Sequence, residues 1–548
     1  MSNPPFKHVR RKLIRKYEKS AFLQSRPYGD SGCSDLEFMS EARRVFESEV
    51  SQWLSPGGAA ESLCGNRRIR AGIVSPRGVA DVQRVLWAAS KARGAVRLQP
   101  ISCGRNWGFG SNLPARDGVY MLDLSGLKKI RAISLTSHCA EVEPGVTQGH
   151  LDEALRHEGS THYFNVTGAG LGASIIGNAL ERGIGYSGQR HLDLLDLEVV
   201  LPGGEVVRTS RFGAQSQCTP YLGGLGPDPT GLFCQSNLGV VTAATIALYR
   251  RPEAMGGVVC RLADPRLLPE LVSTISSLVA EGGCYGVPHI FNRERILATF
   301  IPHLSLAEAR QLRSSTASWT ALIPIRGSKA VFGASAQHVA TLLGSLGQVQ
   351  TIDDEKDSKL GSLLRGRPSD FALPGVAFSV FGSAPPFNTP LEATGAGLIH
   401  VTPMIPLTGA TVAEVEELTC ATLRRHGYEA VPLSVNVLSA RTAALIVSIG
   451  FDRSSAPRTK EAHRAAEDLL GAYLKAGLLP YRLGLEQGNL VPAMEGSWPK
   501  IFRAMRRIFD PGGCMAPSRY EQLWEERDAG FANTPHRQGR KNKKPCIT

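Results

Sequence analysis

The chain has 548 residues, several times the ~100 to 150 of one domain, so two or three domains with extensive cores are expected and a small disulfide-stapled module is excluded. Hydrophobic residues at 42% and charged residues at 20% exclude a chain disordered throughout. The net charge of +13 lies partly in the two ends, from Lys7 to Lys19 and from Arg537 to Lys544; such segments read as solvated tails, with an RNA or anionic surface as the minority alternative.

The 11 cysteines are odd in number and scattered, with no Cys-x-x-Cys pair and no histidine at zinc spacing. The pattern predicts reduced thiols in the cytoplasm, no disulfide framework and no metal. The N-terminus lacks the apolar run of a secretory signal, and no uncharged apolar stretch of about 18 residues occurs, so no membrane span is expected. Cys546 stands third from the end rather than fourth, which predicts no prenylation.

In chain order, residues 1–65 read as a basic, partly disordered arm, helical from Asp35 to Trp53. A strand at Ile73-Val74, a helix over Val79 to Arg93 and a strand from Val96 to Ile101 then make a strand, helix, strand unit. Further strands are predicted at Val119 to Leu124 and Ala140 to Val142, and a helix from Thr147 to Glu158. Asp196 to Leu201 and Glu205 to Thr209, around Pro202-Gly203-Gly204, predict a hairpin. Gly239 to Tyr249 is a β-branched run, and a domain boundary is placed near 252. Beyond it, strands (Val258 to Leu262, Phe378 to Phe381, Leu398 to Thr402, Ala444 to Ile449) alternate with amphipathic helices (Leu267 to Ala280, Val412 to His426, Thr459 to Ala476).

The 58 glycines gather in runs, which signals close backbone approach to something. Pro100 to Gly110 is a glycine-rich loop that leaves a strand and can aim successive backbone N–H groups at an anion, although it matches neither the P-loop nor the Rossmann fingerprint. Gly168 to Ala179, with Gly170, Gly172 and Gly177, is too small in side chain to build a core, so a flat or bulky group is expected against its backbone; a plain turn is the alternative. Gly231 to Thr242 is the third such segment.

Read together, these segments resemble the flavoprotein family of vanillyl-alcohol oxidase and para-cresol methylhydroxylase. The matches come in family order at 100–110, 142–147, 177–186, 198–205 and 231–242, and continue through Thr402-Pro403, Pro480-Tyr481-Arg482 and Phe509 to Pro517. The resemblance implies an α+β, two-domain flavoprotein: an FAD-binding domain over 66–251, a cap on an antiparallel sheet over 252–500, and a segment over 501–548 that returns to the FAD domain before a basic disordered tail. It implies FAD held by Ile101, Ser102, Cys103, Gly104, Arg105 and Asn106, by Pro144 and Gly145, and by Gly168, Gly170, Gly172, Ser174, Ile175, Gly177, Asn178 and Gly183. Val240, Val241 and Arg519 complete that set.

The resemblance further implies that Tyr481 and Arg482 hold a phenol as phenolate while hydride leaves for flavin N5, a chemistry that a fixed guanidinium favours. Three departures qualify it. Phe109 replaces a family tyrosine, Thr167 to Leu171 holds no acidic residue, and Leu398 aligns with the family's flavin-linking histidine while His400 lies two residues on, on the same strand face. FAD is therefore read as non-covalent, with Phe109 and His400 in the substrate pocket. The implied partners are a small-molecule substrate and either oxygen or a cytochrome as electron acceptor, and a homodimer is common in the family. The altered pocket leaves oxidation of a non-phenolic alcohol or amine as the nearest alternative, and a flavin-free, tail-driven nucleic-acid binder as an alternative of another class.

Overall fold

The computed structural model describes residues 32–210, 226–353, 363–386, 389–492, 495–516 and 519–521. Both basic tails, Cys546 and Pro517-Ser518 lie outside these residues. Helix Gly32–Val50 packs on helix Val79–Lys91 through Phe46 and Val50, which are fully buried with Val82, Val85 and Leu86. Beneath them lies a four-stranded sheet in the order Leu54–Glu61, Arg67–Val74, Val119–Asp123, Leu98–Ile101, its last three strands parallel. Leu54–Glu61 corrects the reading of 1–65 as an arm, because this segment pairs antiparallel with Arg67–Val74. Pro56, Gly57 and Gly58 hid the strand; Gly57 sits so close to its partner that a Cβ would lie 2.0 Å from the Arg70 carbonyl oxygen.

A five-stranded sheet follows, ordered Ile130–Ser134, Cys139–Val142, Val240–Ala247, Leu194–Val200, Val206–Arg208, and its last two strands form the hairpin expected from the glycine turn. The chain returns late: Leu98 N donates to Cys514 O at 2.8 Å and Ala516 N to Leu98 O at 2.8 Å, with Cys514 and Met515 buried in the same core.

From Ala254 the chain builds an antiparallel sheet of eight strands. Helices Leu268–Ala280, Lys329–Leu343, Gly409–Arg424 and Ala456–Lys475 supply the core on one face of it. The expected strand at Phe378 to Phe381 is instead the end of helix Pro374–Phe381. A run this short, apolar except for Ser379, carries no clear period, and Pro374 in the first turn with Gly382 at φ +69° as C-cap settles it as a helix.

Pairing places Leu398 opposite Gly450, His400 opposite Ser448, Ser434 opposite Ile446, and Phe291 and His289 opposite Ser434 and Asn436. The alternate residues Ile290, Val435, Val447, Ile449 and Ile399 face the helical core. The sheet therefore turns a partly polar face towards the first domain, and helices Arg293–Phe300 and Pro374–Phe381 lie along that face.

Candidate active site

Strand Leu98–Ile101 ends at the loop that carries Ser102 to Gly110. Gly104, Gly108 and Gly110 hold φ of +64°, +81° and +68°, so the loop coils back on itself. At Gly108 the need for glycine is double: its φ is positive, and a Cβ there would lie 2.1 Å from His400 Cδ2; His400 N also donates to Gly108 O at 2.8 Å. The loop thus docks directly on the cap strand Ala396–Val401. Ser174 caps helix Ile175–Leu180 by accepting from Gly177 N at 3.0 Å, and its hydroxyl donates to Pro144 O at 2.7 Å, tying the Pro144-Gly145 turn to the second glycine segment.

The missing Cβ positions of several glycines are taken by protein atoms. Ser102 Oγ lies 2.2 Å from that of Gly177, Arg105 Nη1 1.9 Å from that of Gly172, Asn178 Oδ1 1.9 Å from that of Gly183, and Ser125 O 2.2 Å from that of Gly145. The glycine excess expected to face a bound group therefore serves mostly to let one cofactor-loop candidate lie against another. Asp370 fills Gly170 in the same way and accepts from Leu171 N at 2.7 Å, but this exposed carboxylate stands outside the cavity wall.

Between the loops and the cap sheet lies a cavity of about 490 Å³, within the usual range for small-molecule sites. It is lined by Ile101, Ser102, Gly104, Arg105, Asn106, Pro144, Gly168, Ser174, Gly177, Asn178, Gly183, Val241 and Arg519, together with Phe109, His400, Tyr481 and Arg482. Cys103, Gly145, Gly170, Gly172, Ile175 and Val240 stand behind this wall rather than on it.

Arg482 is buried, and its guanidinium lies 5.1 Å above the Phe109 ring. It donates to Glu181 O, to Asn106 Oδ1 at 3.3 Å and to Asn178 O at 3.4 Å, so both cofactor loops hold it in place. The neighbouring Tyr481 is fixed through its backbone, Tyr481 N donating to Thr402 O at 3.2 Å and Gln235 Nε2 to Tyr481 O at 2.8 Å. Gln235, from the third glycine segment, reaches this position by adopting φ +53°.

Glu181 was not singled out by sequence, though it lies inside the matched run 177–186. Arg519 Nη2 meets Glu181 Oε2 at 2.6 Å and Tyr520 Oη donates to the same oxygen at 2.7 Å. Burial raises the Glu181 pKa, but Arg519 and Arg482 beside it outweigh burial and hold the carboxyl below its ordinary value. Burial pushes Tyr520 up to about 12, which keeps its hydroxyl a donor.

On the cap side, Phe109 and His400 pack with centroids 5.4 Å apart. His400 Nδ1 lies 3.3 Å from both Val447 O and Ser448 Oγ. Burial, with Arg295 and Arg482 nearby, lowers its pKa to about 4, so the ring is neutral at neutral pH. Arg295, on helix Arg293–Phe300, also reaches the cavity. It too escaped the sequence reading, as did the polar positions Ser434, Asn436 and Ser448. The one signal for these was the strict alternation of Leu433 to Val437, where a strand covered on both faces would be apolar throughout.

Buried polar atoms on this wall lack partners: among the described residues, Asn106 Nδ2, Asn178 Oδ1 and Arg519 Nε make no hydrogen bond. Groups left this way call for a polar ligand. They flank the two glycine loops, where donors and acceptors of a dinucleotide would satisfy them, so the residues present fit FAD.

Residues 70–210 match the family model described as an FAD binding domain. The chain is 28% identical over 523 residues, 86% of its length and 95% of the relative's, to 1'-carboxy-chondrochloren decarboxylase of Chondromyces crocatus. It is 23% identical over 443 residues, 77% of its length and 83% of the relative's, to the 4-cresol dehydrogenase [hydroxylating] flavoprotein subunit of Pseudomonas putida. Among solved structures it shares its fold with p-cresol methylhydroxylase with substrate bound (TM-score 0.76, 20% identity, 90% of this chain and 98% of that one). It shares it also with 4-ethylphenol oxidase from Gulosibacter chungangensis in an isoeugenol complex (TM-score 0.74, 21% identity, 92% and 100%). The chain is an α+β, FAD-dependent oxidoreductase, similar along most of its length to a flavoprotein subunit of 4-cresol dehydrogenase and sharing its fold with p-cresol methylhydroxylase.

Proposed function

We propose that the protein oxidises a phenol-like substrate at the carbon attached para to its hydroxyl group, with FAD held non-covalently between the glycine loops and the cap. The observation that carries this reading is Arg482: a buried guanidinium on the cavity wall, braced by residues of both cofactor loops and beside Tyr481. When bound, FAD supplies the acceptor for a hydride from that carbon. Arg482 favours the phenolate over the phenol, and a phenolate pushes electron density towards the para carbon as the hydride leaves. Phe109 offers only its ring where a hydroxyl donor would add to the anion site, so the charge there rests chiefly on Arg482. Leu398 and the packing of His400 against Gly108 support non-covalent cofactor.

The test is anaerobic mixing of FAD-loaded enzyme with para-ethylphenol and with its O-methyl ether. The phenol should bleach the flavin band and the ether, which cannot form a phenolate, should not. Bleaching by a non-phenolic alcohol or amine, with none by the phenol, would replace this reading by the alternative one. A second reading, oxidation with loss of a carboxyl group, is favoured by Arg295, whose charge has no carboxylate partner among the described residues, and by the likeness to a decarboxylase along nearly its whole length. Carbon dioxide released in step with flavin reduction would support it.

A further inference from the structure

Four arginines and one glutamate line the cavity: Arg105, Arg295, Arg482 and Arg519 against Glu181. Glu181 neutralises Arg519, while Arg105 and Arg482 belong to the side built from the cofactor loops. Arg295 alone stands against the cap sheet, on helix Arg293–Phe300. Its Nη2 donates to Ser448 Oγ at 2.7 Å and to Pro432 O at 3.3 Å, which fixes the side chain without neutralising it. Nε is buried without a partner, and among the described residues Nη1 has no hydrogen bond and no carboxylate pairs with the group. Burial lowers its pKa to about 10, still far enough above neutrality to keep the charge. A cation held this way in a low-dielectric cavity costs stability unless an anion arrives. Its surroundings suit a small anion: Ser434, Asn436 and Ser448 share the same sheet face, and Thr299 lies one turn along its own helix.

A row of contacts ties this group to the oxidation site: Arg482 lies over Phe109, Phe109 packs on His400, and Ser448 bridges His400 and Arg295. We infer that Arg295 is a substrate-carboxylate subsite and that the substrate class is a phenol-like ring bearing an acidic side chain. This rests on reading the cavity as the site of phenol oxidation, and it adds the identity of the group at the far end of the substrate from the phenol. A guanidinium suits the planar carboxylate, which accepts from adjacent N–H groups.

The test uses FAD-loaded enzyme and a matched pair of ligands, 3-(4-hydroxyphenyl)propanoate and its uncharged primary amide, with binding followed by perturbation of the flavin spectrum. The carboxylate should bind at least tenfold tighter than the amide. Arg295→Met should shrink the difference to within about twofold, and Arg295→Lys should retain part of it, all with full flavin content. Equal binding of the pair by the unaltered enzyme, or a preference that survives Arg295→Met, overturns the inference; so does loss of FAD from both variants, which would make Arg295 a cofactor ligand. Flavin reduction by para-ethylphenol separates the two proposals: reduction without carboxylate preference sinks only the subsite. Arg295-dependent preference without reduction by any phenol sinks only the oxidation.

Discussion

Arg482→Ala is expected to slow reduction of the flavin by a para-alkylphenol at least tenfold, about 1.4 kcal/mol or more in activation free energy, with FAD still bound. The magnitude follows from where the charge sits. The guanidinium is buried beside Phe109 and His400, a neutral ring, so neither of these neighbours replaces its charge. A buried cation acting on developing charge is stronger than the same cation in water. Binding of FAD should survive, because the loops are held independently by the Ser174 hydrogen bonds to Gly177 N and Pro144 O. Phe109→Tyr should act in the opposite direction, raising kcat/KM for para-alkylphenols by restoring a hydroxyl donor. Unchanged stopped-flow reduction in Arg482→Ala would remove the phenolate argument, and no gain in Phe109→Tyr would mean the phenyl ring serves a substrate of another shape.

The second large effect is on stability. Glu181→Gln should destabilise the FAD-loaded enzyme by roughly 3 kcal/mol, because it leaves Arg519 and Arg482 in the wall with no carboxylate between them. The pH dependence has a definite sign. The folded Glu181 pKa is lowered, so its contribution is present above the ordinary carboxylate value near 4.5 and is lost as pH falls through the lowered folded value. The variant should be less stable at neutral pH, with the gap to the unaltered enzyme closing on acidification. Denaturant midpoints across that range would check both statements; equal midpoints at neutral pH would show that the cluster carries no net stabilisation.

Much of the first domain was legible because its signals are local. The hairpin after Pro202, the helices from Val79 and Thr147, and the five ordered motifs depend on turn chemistry, capping and short-range period. Leu54–Glu61 was not legible, since Pro56, Gly57 and Gly58 read as a break and only the pairing with Arg67–Val74 makes it a strand. In the cap, Phe378 to Phe381 failed for want of a period. The candidate site divides the same way. Tyr481, Arg482, Phe109 and His400, which the motifs single out, line one cavity, with Arg482 over Phe109 and Phe109 packed on His400. Glu181 and Arg295 were missed because nothing near them in sequence tells which partner they meet. Glu181 finds Arg519, 338 positions further along the chain, only through the C-terminal return, and Arg295 finds Ser448 across three strands of sheet. The glycines taught a different lesson: their clustering was visible, but whether ligand or protein fills the space beside each was not.

FAD is expected in this cavity without a covalent bond, and the visible spectrum of the purified protein before and after acid precipitation tests that most directly. Yellow protein whose flavin bands pass entirely to the supernatant is the predicted result. Colour retained in the pellet would contradict it by making His400 or another nucleophile a covalent anchor, and a colourless protein that takes up no added FAD would contradict the cofactor site itself.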